Sequence, residues 1–339
     1  MCCEKTGNFL TVILIVIFCL AICPDGLCAE SKVKSGLAAK YCGDKGIETN
    51  PNVIFSCNFE NGITGWSNYR HGAKDRVLLI KDESVANNSA ACVQMITEKN
   101  KSTSSGLRYK WDPGHDQVYF RFYCKFHKDT CRPHHFVSMA AYSKDYVPGG
   151  RAGFTRKGNE TFHSVVEPPP ENGKGSWFLY SYWHEMRSWQ NEDGSPNNPP
   201  DGDGRSFYGN NFGSPEHKQD FVRDKWICVE FMIKANTPGK HDGEQAVWID
   251  GEKIMHWKTG CIEGTWFRDK FRTSGSFNTN PEPFEGFSWR TVDELKINSI
   301  LLGWYVSNER AKNSPTNINS VYFDDVVAAT KYIGPKVSK

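Results

Sequence analysis

The sequence predicts an all-β fold of two stacked antiparallel sheets, and three observations carry that prediction. Short apolar segments recur between clusters of Gly, Pro, Asn and Asp, with no sustained helical period. Two of them alternate strictly. In Gln117 to Phe126, the side chains of Val118, Phe120, Phe122, Cys124 and Phe126 point one way, and Tyr119, Arg121, Tyr123 and Lys125 the other. Trp226 to Lys234 likewise buries Ile227, Val229, Phe231 and Ile233. Finally, Asp250-Gly251 between two such segments is a strong two-residue hairpin signal. About a dozen strands with no helices between them stack as a jelly-roll β-sandwich.

The elements follow in chain order. Lys5 and the apolar run Phe9 to Cys23, broken by Pro24-Asp25-Gly26, have the length of a signal-peptide core and fall short of a membrane span. Residues 1–29 are therefore read as a leader, and the protein as exported to the periplasm, cell surface or medium. Leu20 to Cys23 faintly resembles a lipoprotein box, but bulky Ile22 argues against it. Residues 30–52 read as a loose lead-in, and residues 53–335 as the sandwich. Strands are expected at Val53 to Phe59, Arg76 to Ile80, Ala90 to Ile96 and Gln117 to Phe126. His135 to Ala141, Thr161 to Val166, Trp177 to Arg187 and Trp226 to Lys234 come next. Gln245 to Ile249 and Lys253 to Trp257 flank the hairpin, and Ile297 to Val306 and Val321 to Ala328 close the domain. Asn191 to Gly204 is almost entirely loop-forming residues.

Composition excludes several functions. The net charge of +2 gives no basic footprint for nucleic acid or an acidic membrane. There is no P-loop and no G-x-S-x-G elbow. No C-x-x-C pair suggests a thiolate zinc site. Of the seven cysteines after the leader, Cys124 and Cys131 flank a short polar turn and are the expected disulfide pair.

Aromatic residues make up 13% of the chain, more than a core needs, so some rings must face outward. Flat rings beside Arg, Asn and Asp suit a saccharide, whose apolar C–H faces stack on rings while its hydroxyls bond polar groups. Tyr119, Arg121, Tyr123, Trp183, His184 and Arg187 are the candidate sugar contacts. Arg132-Pro133-His134-His135 is the densest ionisable cluster. Adjacent strand residues face opposite sides, so one of His134 and His135 can enter a given cleft. In the strand around Tyr180, the side chains of Phe178, Tyr180, Tyr182 and His184 share one face, and Leu179, Ser181, Trp183, Glu185 and Arg187 the other. Near the chain ends, Glu60 and Asp324 or Asp325 are the candidate oxygen ligands of a structural calcium ion.

Three segments together carry a resemblance. They are Phe59-Glu60-Asn61-Gly62 with Gly65-Trp66, Trp226 to Glu230 with Asp242 to Gly251, and Tyr322 to Val327 with Tyr332 to Gly334. They resemble concanavalin A-like jelly-roll proteins, and more narrowly the polysaccharide lyases similar to glucuronan and heparin lyases. That resemblance implies β-elimination on an acidic, uronate-containing polysaccharide. His134 or His135 would take the C5 proton, Tyr180 or Tyr182 would protonate the leaving oxygen, and Arg132, Arg121 or Arg187 would neutralise the carboxylate. The Gln-x-His and Tyr-Lys-rich strands of alginate-type lyases have no match here. The rival reading is a non-catalytic lectin of the same fold.

Overall fold

The computed structural model describes residue 1 and residues 36–68, 73–147, 152–189 and 206–337. The leader and the loop Asn191 to Gly204 lie outside the described residues. Two sheets form the expected jelly-roll sandwich. One, of eight strands, runs in the order Glu252–Trp257, Glu244–Ile249, Ile227–Lys234, Gln117–Phe126, Ile318–Ala329, Cys92–Glu98 and Val77–Ile80, with Val53–Cys57 also pairing with Ile318–Ala329. At the centre of the other, ten-stranded sheet lie Asn210–Gly213, Phe178–Tyr182, Thr161–Glu167, Val137–Tyr142, Ile297–Tyr305 and Ser104–His115.

Alternation builds the core between them. Val118, Phe120, Phe122, Cys124 and Phe126 are fully buried, as are Val229, Phe231 and Ile233 on the neighbouring strand. Val137, Met139, Phe162, Val166, Leu179, Ile300 and Leu302 meet them from the ten-stranded sheet. Each such side chain contributes roughly 1.5–3 kcal/mol by leaving water. A polar stitch crosses the interior, where Gln245 Oε1 accepts from Ser181 Oγ (2.9 Å) and Ser164 Oγ (3.2 Å).

Three features depart from the sequence reading. The longest strand of the ten-stranded sheet, Ser104–His115, was not anticipated, because Gly106, Pro113 and Gly114 punctuate it like a loop. The lead-in is not loose over residues 36–52. Ala38 and Ile47 pack with Val327, Ala329 and Ile333, while the N–H groups of Leu37 and Ala38 donate to Tyr332 O and Ile333 O at 3.0 and 2.8 Å. Cys124 and Cys131 do not pair. Cys124 is sealed in the core, whereas Cys131 opens onto a surface cavity, and every cysteine among the described residues is a free thiol.

The lead-in and the C-terminal segment together seal the outer face of the eight-stranded sheet around Arg121. This guanidinium is wholly buried. It pairs with Asp44 and donates to Gly334 O and Asp325 O, both at 3.1 Å. Beside it, the Glu230 carboxyl accepts from the N–H groups of Ile333 and Gly334, each at 2.8 Å, and burial pushes its pKa up to about 7. Removing one partner of a buried pair strands the other's charge in low dielectric. Asp44→Ala should therefore cost about 3 kcal/mol, read as a lowered midpoint in urea unfolding, whereas substituting the exposed Glu48 nearby should change it little.

Candidate active site

The outer face of the ten-stranded sheet carries a polar-aromatic trough in which His163 and Tyr180 are half-buried. Its geometry follows from strand register. Phe162, Ser164 and Val166 point into the core, so His163, Val165 and Glu167 point outward; Leu179 and Ser181 point in, so Phe178, Tyr180 and Tyr182 point out. Antiparallel pairing then sets His163 opposite Tyr182, Val165 opposite Tyr180, and Glu167 opposite Phe178. The His163 and Tyr182 rings stack with centroids 4.6 Å apart and an interplanar angle of 18°. His135, held by backbone pairing to Tyr305, stacks on Tyr180 at 5.1 Å and 22°. The two tyrosine hydroxyls bond each other at 3.1 Å.

Charged groups border these rings. Arg156 lies over the Tyr182 ring, 4.7 Å from its centroid. Arg108, on the strand Ser104–His115 three places along the sheet from Thr161–Glu167, donates to the Tyr142 hydroxyl at 3.0 Å. His135 Nδ1 lies 2.8 Å from Glu167 Oε1. With the Glu167 carboxylate as acceptor, Nδ1 is the donor in this bond, and Nε2 is the ring nitrogen not engaged by Glu167. Gly209 matters for space: a Cβ there would lie 2.7 Å from the Tyr180 ring, so only glycine lets the backbone approach that closely.

The electrostatics keep the imidazole neutral and the phenols protonated. Burial, then the nearby Arg156, His135 and Arg108, push the His163 pKa down to about 3. Burial raises the Tyr180 hydroxyl, and Tyr182 beside it raises it further. Tyr182 is also raised by burial, but less so, because the Tyr180 hydroxyl, the Gly209 backbone and Arg156 all favour its anion.

The structure brings together His135, Tyr180 and Tyr182 of the residues singled out in the sequence, with His134 adjoining, its ring 4.5 Å from that of His135. Arg132 stands at the edge, its Cζ 5.5 Å from the centre of the Phe178 ring, with Nε committed to Pro168 O at 2.7 Å.

Other assignments need correction. Tyr119, Arg121 and Tyr123 lie on the outer face of the opposite sheet, under the lead-in and C-terminal segment; Tyr119 packs on Trp248 and Tyr332, and Tyr123 accepts from the Lys336 N–H at 2.8 Å. Trp183 is a core residue, because the strand ends at Tyr182 and the chain turns inward. For the same reason His184 leaves the Tyr180 face and bonds Ser288 Oγ at 3.2 Å. Arg187 stands apart, over Trp266 and 3.6 Å from Glu285.

The expected calcium ligands each have a protein partner. Asp324 Oδ2 accepts from Asn87 N–H and Ser89 Oγ, Asp325 is paired with the Lys336 ammonium, and Glu60 Oε1 accepts from Ala90 N–H. No three His, Cys, Asp or Glu side chains among the described residues gather as a cation site.

His163, Glu167, Arg108 and Arg156 were missed. The alternation of Thr161 to Glu167 does set His163 and Glu167 opposite Phe162 and Val166, so that signal was present.

Comparison with protein-family profiles and with curated proteins gives no match. Solved structures do match in fold. An alginate lyase from Chlorella virus shares 14% identity at a TM-score of 0.51, covering 82% of this chain and 99% of its own. An alginate lyase from Aplysia kurodai shares 13% at 0.51, covering 84% and 99%. A weaker likeness, TM-score 0.41 and 13% identity over 83% and 92%, is to endo-β-1,4-glucuronan lyase from Trichoderma reesei.

The His163 pKa has a consequence for stability. The unfolded chain protonates this histidine below its ordinary 6.5, the folded chain only near 3. Between those values the unfolded state binds more protons, so stability falls as pH drops through that window. In His163→Gln, the urea midpoint should vary less between about pH 6.5 and pH 4 than in the parent.

Proposed function

We propose that this protein is an exported polysaccharide lyase that cleaves a uronate-containing glycan by β-elimination. The observation that carries the reading is the pair of outward stacks, His135 on Tyr180 and His163 on Tyr182, joined through the tyrosine hydroxyls beneath Arg156. Export rests on the leader-like residues 1–29. The shared fold with the two alginate lyases adds support for the substrate class.

The chemistry divides among these groups. A uronate C5 proton becomes acidic once the neighbouring carboxylate is neutralised, and Arg156 and Arg108 supply positive charge on this face. His135, oriented through Nδ1 by Glu167, presents Nε2 as the base that takes the proton. The electron pair left at C5 forms the C4=C5 double bond as the C4–O4 bond breaks. Tyr180, kept protonated by its surroundings, donates its proton to O4, and Tyr182 can restore it through their shared hydrogen bond. His163 stays neutral and supports Tyr182 from below without adding charge.

The test is absorbance at the unsaturated-uronate band with a panel of uronate polymers. The wild-type chain should generate signal on at least one. Tyr180→Phe and His135→Gln should each lower kcat by about 10²–10⁴-fold with the fold intact. No signal on any polymer, with glycan binding retained on an array, would instead select the lectin reading.

A further inference from the structure

A second cavity, of about 310 Å³, opens beside His134, and its wall carries Arg132, Arg223 and Arg310 against a single carboxylate, Glu171. That volume is at the lower end for a small-ligand pocket, enough for an anionic group and part of a sugar ring. Two of the guanidiniums are anchored through Nε to the backbone: Arg132 to Pro168 O at 2.7 Å and Arg223 to Thr130 O at 2.6 Å. Arg223 also engages Glu171 at 2.6 Å. Arg132 keeps its terminal nitrogens without a partner among the described residues. Arg310 has neither a side-chain hydrogen bond nor an ion pair there, although its backbone is fixed by the Ser307 hydroxyl, which caps the turn Asn308–Ala311.

Three like charges around one cavity repel, and a single carboxylate offsets only one of them. Burial pushes the Arg132 pKa down to about 10; Glu167 acts against it, and Arg310 adds a smaller push downward. Arg132 also connects this cavity to the trough. It lies over Phe178, which pairs across the sheet with Glu167, the residue that holds His135. Guanidinium forks match the paired oxygens of a carboxylate or sulfate.

We infer that this cavity holds an oxyanion of the bound glycan, a uronate carboxylate or a sulfate ester, on a sugar beyond the one cleaved at His135 and Tyr180. The inference rests on the trough binding an acidic glycan, as proposed above. It assigns Arg310 and Arg223 to gripping the polymer rather than to the elimination itself.

The test uses the Tyr180→Phe chain, so that ligand is bound without being consumed. The probes are a mannuronate octamer, which carries carboxylates alone, a heparin octasaccharide, which adds sulfates, and neutral cello-octaose. Cys131 on the cavity wall gives a local readout, because occupancy will slow its alkylation by iodoacetamide, followed on its own peptide by mass spectrometry. At least one acidic octamer should bind and slow Cys131 alkylation severalfold, and cello-octaose should not. Adding Arg310→Gln should weaken that octamer about tenfold and abolish the protection without lowering the thermal midpoint. Arg310→Gln with Arg223→Gln should weaken it further. The stronger of the two acidic probes identifies carboxylate or sulfate. Binding that survives both substitutions, with Cys131 unprotected, would overturn the cavity and leave the trough reading standing. No binding of either acidic octamer would overturn both.

Discussion

Burial of Phe162, Val166 and Leu179 between the two sheets is the constraint on which the candidate site depends. Side chains alternate along a strand, so committing these three to the core commits His163, Glu167, Tyr180 and Tyr182 to the opposite face. The Gln245 amide oxygen reinforces the same register by bonding Ser164 and Ser181, one from each strand. A slip of one residue would turn every ring of the trough inward and expose the apolar set. Core packing and trough geometry are thus two sides of one registration.

The molecule has two polar-aromatic sheet faces, and they meet different fates. On the eight-stranded sheet, Tyr119, Arg121 and Tyr123 are covered by residues 36–52 and the C-terminal segment, and Arg121 becomes a buried anchor for both. On the ten-stranded sheet, Tyr180 and His135 remain partly accessible. Strand alternation alone cannot distinguish these faces, because each presents tyrosines and arginines at every second position. What distinguishes them is which face the chain ends cross.

That difference explains what could be read from the sequence. The core side of Gln117–Phe126 and of Ile227–Lys234 was legible residue by residue, since Val118, Phe120, Phe122, Cys124 and Phe126, and Val229, Phe231 and Ile233, alternate into the core, although Arg121, Cys228, Glu230 and Met232 on the other face are buried as well. Tyr180 and Tyr182 were legible as a pair on one face for the same reason. Arg121 was misread because its cover comes from residues far away in sequence. His163 was overlooked although its strand was anticipated; a lone histidine in an apolar run resembles a core residue until Tyr182 is set opposite it. Arg108 was lost with its whole strand, in which Gly106 and Pro113 imitate a loop. Arg156 lies outside any strand, so no periodicity marks it.

Charge placement completes the picture. With a net charge of +2, the chain as a whole has little pull on a polyanion. Around the trough, however, Arg108, Arg132 and Arg156 gather, and the Glu167 carboxylate is turned to His135. The imidazole of His163 adds no charge, because its surroundings already favour the neutral ring. Such an arrangement sets guanidiniums beside the rings, above a floor of buried apolar side chains. The uronate polymer proposed as substrate would meet both the rings and these guanidiniums.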